Sequence, residues 1–570
     1  LSLLFAVLIS TVNFQFDVFA KVRCTLYAFV HKTFQEYLCA QEIGYQADDE
    51  DDFEIVLKHI REQLHDPHWR EVLLLLIAQQ KPKKAAKAMR AILAANSEHE
   101  EWLHRDLFFA GSCLAENIKD LKKADSSLTV EILDKLVELE VSDEQQVGYR
   151  VHSQVFQILC SMSETEFEAQ TLQLLKARGV DANRLWRYQA ALGEKEAVIT
   201  AMLLRLEDRD HRVYLSAAEA LGNLGNVSES VISALLLRLK DKDEDFLVRV
   251  LASEALGKLG NASESVISAL LLCLEDGDNS SRSSAVQALG NLENASESVI
   301  NALLLRLKDD EDFWVRVSVT QALGKLGNAS EPVITALLLR LEDGDNSVRS
   351  SALQALGKLG NSSKPVITAL LLRLEDGDNS LRVSAASALG KLGNASEPVI
   401  TALRLRLEDG DNSLRVSAAS ALVKLGNASQ VAISSLLLSL EDSDKLLRRE
   451  AVKALKNVEN ASEPVISALV LRLQDEDGLV RFLAASALGN LGNASETVIN
   501  ALLLRLEDRI YSVHYFAASA LGKLGLKSSD VLPAVVQWID RHQDAKYLGS
   551  CIDVLWDLVA GEGNRSPVDF

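Results

Sequence analysis

Residues 331–361, EPVITALLLRLEDGDNSVRSSALQALGKLGN, join two apolar patterns of different kind. Residues 333–341 are apolar on nearly every side of a helical wheel, which predicts a helix A buried on more than one face. Val348, Ala352, Ala355, Leu356 and Leu359 fall at i, i+4, i+7, i+8 and i+11, a one-sided stripe that predicts an amphipathic helix B. Gly344 and the Asp/Asn/Ser cluster around it are turn chemistry. Ser330 can cap helix A, with Glu331 and Pro332 in its first turn, and Asp345, Asn346 or Ser347 can cap helix B. Gly360 and Asn361 suit a left-handed stop. The alanines of helix B are small enough to let it lie close to a neighbour.

Close copies of this string run from about residue 193 to 525. The leucine opening each LED-like turn recurs at Leu206, Leu239, Leu274, Leu307, Leu341, Leu374, Leu407, Leu440, Leu473 and Leu506, most often 33 residues apart. A fixed period in this range means stacked helix pairs that share their buried faces, because one pair alone cannot bury enough. The expected fold class is all-α: an α-solenoid of helix pairs with a period of about 33, preceded by a helical arm.

The pattern L-x-D-x-x-x-x-V/L-R-x-x-A-x-x-A-L-G-x-L-G resembles HEAT repeats of the short phycobilisome-lyase type. In such arrays the turn aspartate and the helix B arginine form a structural ladder between copies. The resemblance places that ladder at Asp343 with Arg349 and Asp376 with Arg382; Arg249, Arg282, Arg316, Arg415, Arg448 and Arg481 hold the same place elsewhere. Tyr214 and His514 replace the arginine in the outer copies.

Upstream, AFVHKTFQEYLCAQEI (28–43) resembles the F-x-H-x-T-F-x-E-Y-x-x-A segment of NACHT-type NTPases, on His31, Thr33, Phe34, Gln35, Glu36, Tyr37 and Ala40. HWREVLLLLIAQQ (68–80), RDLFFAGSCLAE (105–116) and residues 531–559 continue that likeness. The resemblance implies four regions: 1–120, a helical segment of the kind that follows a NACHT ATPase core; 121–192, degenerate repeats; 193–530, the solenoid; and 531–570, C-terminal capping helices. It also implies a bacterial signalling or defence ATPase whose repeats sense a protein trigger. The supplied chain has no G-x-x-x-x-G-K-[ST], so ATP and magnesium are implied only for a domain upstream, and the chain itself is expected to be non-catalytic with no cofactor. The opening Leu1 suggests a fragment of a longer, oligomerisation-capable protein. The alternative of another class is a chromophore lyase or chaperone of the phycobilisome type, cyanobacterial in character, which would share the repeats but not residues 28–116. A plain protein-interaction scaffold is a third reading.

Composition narrows the partners. The chain has 81 acidic and 60 basic residues and a net charge of −21, which argues against generic duplex binding. Residues 1–12 are apolar but too short to span a bilayer, and are expected to be a buried strand or helix. Six cysteines lack C-x-x-C spacing, so free thiols and a cytoplasmic location are expected. His31 is expected to pack in an apolar helix. His65, Asp66 and His68 offer two metal-ligand types without a third at helical spacing. The recurring Asn-Ala-Ser is read as a helix stop followed by a serine cap. Within near-identical copies, the departures Phe246, Phe313, Trp314, Phe482, Tyr511 and Tyr515 are the candidate partner contacts.

Overall fold

The computed structural model describes residues 20–22, 25–27, 32–205, 213, 216–217, 221, 229–240, 246–459 and 461–560. The expectations for residues 1–12, His31 and Tyr214 lie outside the described residues. Apart from a short antiparallel pair, Ala20–Val22 with Thr25–Tyr27, the described elements are helices. They divide into two compact units, residues 196–531 and residues 1–195 together with 532–570.

Residues 196–531 are the array of helix pairs. In the copy at 331–361, helix A is Glu331–Arg340 and helix B is Asn346–Leu359. Asp345 caps helix B, its carboxylate accepting from the Ser347 and Val348 N–H at 2.7 and 3.3 Å. Gly360 then ends it in the left-handed region, φ 66°. The cap of helix A differs from the expected serine hydroxyl. Ser330 occupies the N-cap position without a side-chain bond, and Asn328 Oδ1 accepts the Ser330 N–H at 3.0 Å. The same Asn-to-Ser turn recurs at Asn261, Asn294, Asn361, Asn394 and Asn493, so the asparagine shapes the corner.

Successive B helices touch backbone to backbone. A Cβ placed on Gly357 would meet Ala388 Cα at 2.8 Å, and one on Gly390 would meet Ala421 Cα at 2.8 Å. Small residues on both sides therefore permit the approach. The A helices stand further apart: between Glu297–Asp309 and Glu331–Arg340 lies a cleft of about 490 Å³, lined by Leu304, Leu307, Pro332 and Leu339 among others.

In the other unit, Lys32–Asp49, Glu54–Gln63, Arg70–Ala78, Pro82–Leu93 and Arg105–Ala115 bury Ile43, Ile60, Leu73, Ile77, Met89, Ile92 and Leu114. His65 is committed to structure here. Its Nε2 lies 2.7 Å from Asp106 Oδ1, and Ser97 donates to the same carboxylate through Oγ and N–H at 2.6 and 3.0 Å. Burial works to raise the Asp106 carboxyl, but the His65 and Ser97 bonds hold it below the usual range. Among the described residues no group of His, Cys, Asp and Glu is arranged to hold a metal ion.

The helix Leu548–Ala560 belongs to the same unit as residues 1–195. Leu548–Ala560 docks on Glu144–Val147 and Tyr149–Cys160 across about 400 positions of sequence, as Gln146 Nε2 donates to the Ala545 and Lys546 carbonyls at 3.2 and 3.1 Å. Asp553 accepts the Tyr149 and Arg150 N–H groups at 3.1 and 2.7 Å, capping the helix from a distant segment. Gly148, at φ 91°, leaves room for it: a Cβ there would sit 2.7 Å from Asp553 Oδ1 and from the Gly549 carbonyl.

Burial pushes the Asp553 carboxyl up, from 3.8 to about 7, against the pull of the two N–H donors. A carboxyl raised on folding binds a proton in the native state that the unfolded chain has lost. Its contribution to stability therefore falls as pH rises from about 4 to about 7. Asp553→Asn should gain stability relative to the parent over that window. Paired thermal melts at its two ends check this, and a pH-independent difference contradicts it.

Candidate protein-binding faces of the array

The arginine ladder comes first, because it sets the register of the copies. Arg316 Nε and Nη2 donate to Asp343 Oδ2 and Oδ1 at 3.1 and 3.0 Å, a two-pronged bond from one copy to the next. Arg316 Nη1 also donates to the carbonyls of Asp310 and Glu311 in its own turn. The same stitch joins Arg249 to Asp276, Arg282 to Asp310, Arg448 to Asp475 and Arg481 to Asp508. The expected pairing of Asp343 with Arg349 is therefore shifted by one copy: Arg349 bonds to the Asp343 main-chain carbonyl, at 2.5 Å, while Arg316 holds the Asp343 carboxylate. Likewise Arg382 lies 3.4 Å from Asp409, not on the carboxylate of Asp376. The arginine leaves helix B pointing forward along the array, so the carboxylate it meets belongs to the following turn. Burial works to raise the Asp343 carboxyl, and the Arg316 guanidinium with the Asp345 N–H more than offsets it. His514, in an arginine's place, is buried with its ring edge-on to Tyr511 at 5.1 Å.

The candidate contact aromatics are scattered along the B helices. Phe246 and Phe313 open the helices Phe246–Leu259 and Phe313–Leu326. Trp314 is 60% exposed with its ring 4.8 Å from that of Phe313. Phe482 packs on Phe516 at 4.6 Å, and Tyr511 stacks on Tyr515 at 5.9 Å. Phe482 is thus held largely by its neighbour, whereas Trp314, Tyr511 and Tyr515 present surface.

A more regular feature lies on the A helices. Leu204, Leu237, Leu272, Leu305, Leu339, Leu372, Leu405, Leu438, Leu471 and Leu504, one per copy at the same position, are all exposed, from 49% at Leu305 to 75% at Leu438. Helix A, expected to be buried on more than one face, thus keeps one apolar position per copy on its open side. Val333, Ile334, Leu337 and Leu341 are buried, but Leu339 continues the exposed row of Glu331 and Thr335. That i, i+4, i+8 row was the available signal. The neighbouring arginine does not cover the leucine. Arg340 turns to Asp343 at 3.3 Å, and Arg373 to Asp376 at 3.0 Å and to Glu342 of the preceding copy. Leu339, which lines the cleft between Glu297–Asp309 and Glu331–Arg340, is left open to solvent.

The HEAT-repeat family model matches residues 198–290, 267–357, 300–389, 334–423, 367–456, 433–509 and 466–555, together more than half of the chain. The chain belongs to the HEAT-repeat family. No curated protein matches its sequence. Among solved structures, the HEAT array is similar to the CpcE–CpcF complex of phycocyanin lyase from Nostoc sp. PCC7120, at 24% identity over 42% of this chain and 92% of that one, with a TM-score of 0.28. It is also similar to yeast importin-beta, Kap95p, at 13% identity over 93% of this chain and 76% of that one, TM-score 0.40. A third similar structure is the karyopherin Kap121p bound to the extreme C-terminus of the phosphatase Cdc14p, at 14% identity over 91% and 59%, TM-score 0.39. No helix among the described residues of this HEAT protein is long and apolar enough to cross a membrane.

Proposed function

We propose that this HEAT protein is a non-catalytic scaffold whose A face docks a protein partner. The observation that carries this reading is the row of exposed leucines, one per copy, of which Leu339 lines an open cleft. Soluble surfaces rarely leave so long an apolar series uncovered unless something binds there. With packed helices about 8–10 Å apart, the series presents a ruler of evenly spaced anchors. Burying each one fully would contribute about 1.5–3 kcal/mol.

Leu339→Ser, Leu372→Ser and Leu405→Ser combined should weaken partner capture by roughly tenfold or more, with the thermal midpoint nearly unchanged because these side chains touch little. Quantitative affinity purification with cross-linking, parent against triple variant, reads the effect. If every captured protein is retained equally by the variant, the A face is not the docking surface.

We further propose that the array is the sensing region of a cytoplasmic, NACHT-type signalling ATPase. The support is the likeness of residues 28–43, 68–80, 105–116 and 531–559 to that family's segments. Partner binding to such an array would act by favouring one of two populations of the attached ATPase. The reading frame upstream of Leu1 tests this: a phosphate-binding G-x-x-x-x-G-K-[ST] is expected there, and its absence removes the ATPase half of the proposal.

A further inference from the structure

The B face of the array combines a lack of carboxylates with a row of lysines. Four consecutive B helices, Phe313–Leu326, Asn346–Leu359, Asn379–Leu392 and Asn412–Lys424, contain no aspartate or glutamate, in a chain whose net charge is −21. Each holds one arginine and one lysine. The arginines are spent on the array itself: Arg316 on Asp343, Arg349 and Arg415 on the carbonyls of Asp343 and Asp409, and Arg382 on Asp409.

The lysines are not. Lys325, Lys358, Lys391 and Lys424 are all exposed, and none is in an ion pair among the described residues. Lys325 donates only to the neutral Asn291 Oδ1, at 2.7 Å. Lys391 sits between two like charges. Partial burial of its stem, then the Lys424 and Lys358 ammonium groups, hold its pKa below the usual lysine range, while Glu450 pulls the other way. Glu450, in the B helix Lys445–Leu455 that follows the row, is itself engaged by Lys453 at 2.7 Å. One turn before each lysine stands a neutral polar residue: Gln321, Gln354, Ser387 and Ser420.

Spacing and chemistry select the ligand. The Gly324–Ala355, Gly357–Ala388 and Gly390–Ala421 contacts bring these helices to close packing, so the ammonium groups repeat at about 8–10 Å. A peptide extended as a polyproline II helix rises about 3.1 Å per residue with about three residues per turn, so every third side chain faces the same side and meets a new rung. The glutamine and serine row supplies hydrogen-bonding groups for a peptide backbone. Single-stranded nucleic acid calls for aromatic platforms along its track, and the three helices after Phe313–Leu326 have no aromatic residue.

We propose that this B face binds an extended acidic segment of a protein partner, carboxylates at about every third residue pairing with Lys325, Lys358, Lys391 and Lys424. The site lies on other residues than the leucine row and does not depend on it.

The test is a fluorescence-anisotropy titration of the full chain with a labelled peptide of Glu-Ser-Gly repeats. The matched Lys-Ser-Gly peptide and a thymidine oligonucleotide serve as comparison probes. The acidic peptide should bind saturably, and more weakly as salt is raised. Combined Lys325→Gln, Lys358→Gln, Lys391→Gln and Lys424→Gln should weaken it about tenfold or more, a loss of about 1.4 kcal/mol, with unchanged circular dichroism. The triple leucine variant should bind it as the parent does. Should the quadruple variant not fold, Lys358→Gln with Lys391→Gln is expected to weaken binding at least about threefold. Equal binding by parent and lysine variants, no preference for the acidic over the basic peptide, or tighter binding of the oligonucleotide would each overturn the proposal.

Discussion

Asp475→Ala is expected to lower the unfolding free energy by about 3–5 kcal/mol, the largest loss of any rung in the ladder. Arg448 and Asp475 are joined by two bonds, 2.9 and 2.8 Å, and their side chains are only 6% and 3% exposed. The hydrogen bonds it donates to Asp475 hold the Arg448 guanidinium above its ordinary pKa, and burial opposes them. Removing the carboxylate leaves that charge covered by protein with its own turn's carbonyls at 2.9 and 3.0 Å and with Glu476, which is 83% exposed. Asp409→Ala, at the looser 3.4 Å rung with Arg382, should cost only about 1 kcal/mol. In a nearest-neighbour array the break is local. Hydrogen exchange should therefore rise first in the helices Lys445–Leu455 and Gly478–Leu491, which flank the lost rung. Denaturant melts of the two variants make the comparison, and equal losses would mean that burial does not set the strength of the ladder.

Gly549→Val should have the second largest effect, about 3 kcal/mol, at the upper end of what overpacking costs. A Cβ on Gly549 would stand 2.5 Å from the Glu144 carbonyl and from the Gly148 nitrogen, and 2.8 Å from Gly148 Cα. These are backbone atoms, so no side-chain rotation relieves the clash. The helix Leu548–Ala560 must back away from Glu144–Val147, giving up the Asp553 cap on Tyr149 and Arg150 and the contact of Trp556 with Phe108, whose ring centroids are 5.9 Å apart. Limited proteolysis should cut near residues 545–550 in the variant and spare the parent. An uncut variant with an unchanged melting point would show that the crossing of the two glycines bears little of the stability. The joint could not have been read from the chain: nothing local marks Gly148 as the partner of a glycine some 400 positions away.

The ladder shows the division of information more finely. Aspartate at the turn and arginine one turn into helix B were visible as a repeating pair. The nearest such pair in sequence, Asp343 and Arg349, is not the pair that forms the salt bridge. Side-chain direction decides this. A long arginine on helix B can span the gap to the next turn because glycine facing alanine brings the next B helix near. Leu339 errs the other way. Hydrophobicity alone put it inside, yet its place above Glu331 and Thr335 on the helical wheel put it outside.

The chain alone determined what is local and repeated: the period of 33, the two helices per copy, a cap from the Asp/Asn/Ser turn and a glycine stop for helix B, and the absence of acidic residues from five successive B helices. These follow from the range of their causes, since turns, caps and amphipathic stripes act within about one helical turn. Tertiary structure decided everything that depends on which copy, or which end of the chain, comes alongside. It chose the carboxylate for each arginine, left the lysines without one, opened the leucine row to solvent and closed Gly549 over Gly148. The physical reason is that a side chain's partner is set by the distance of approach between helices, and residues 27 or 400 positions apart share no local signal that could announce it.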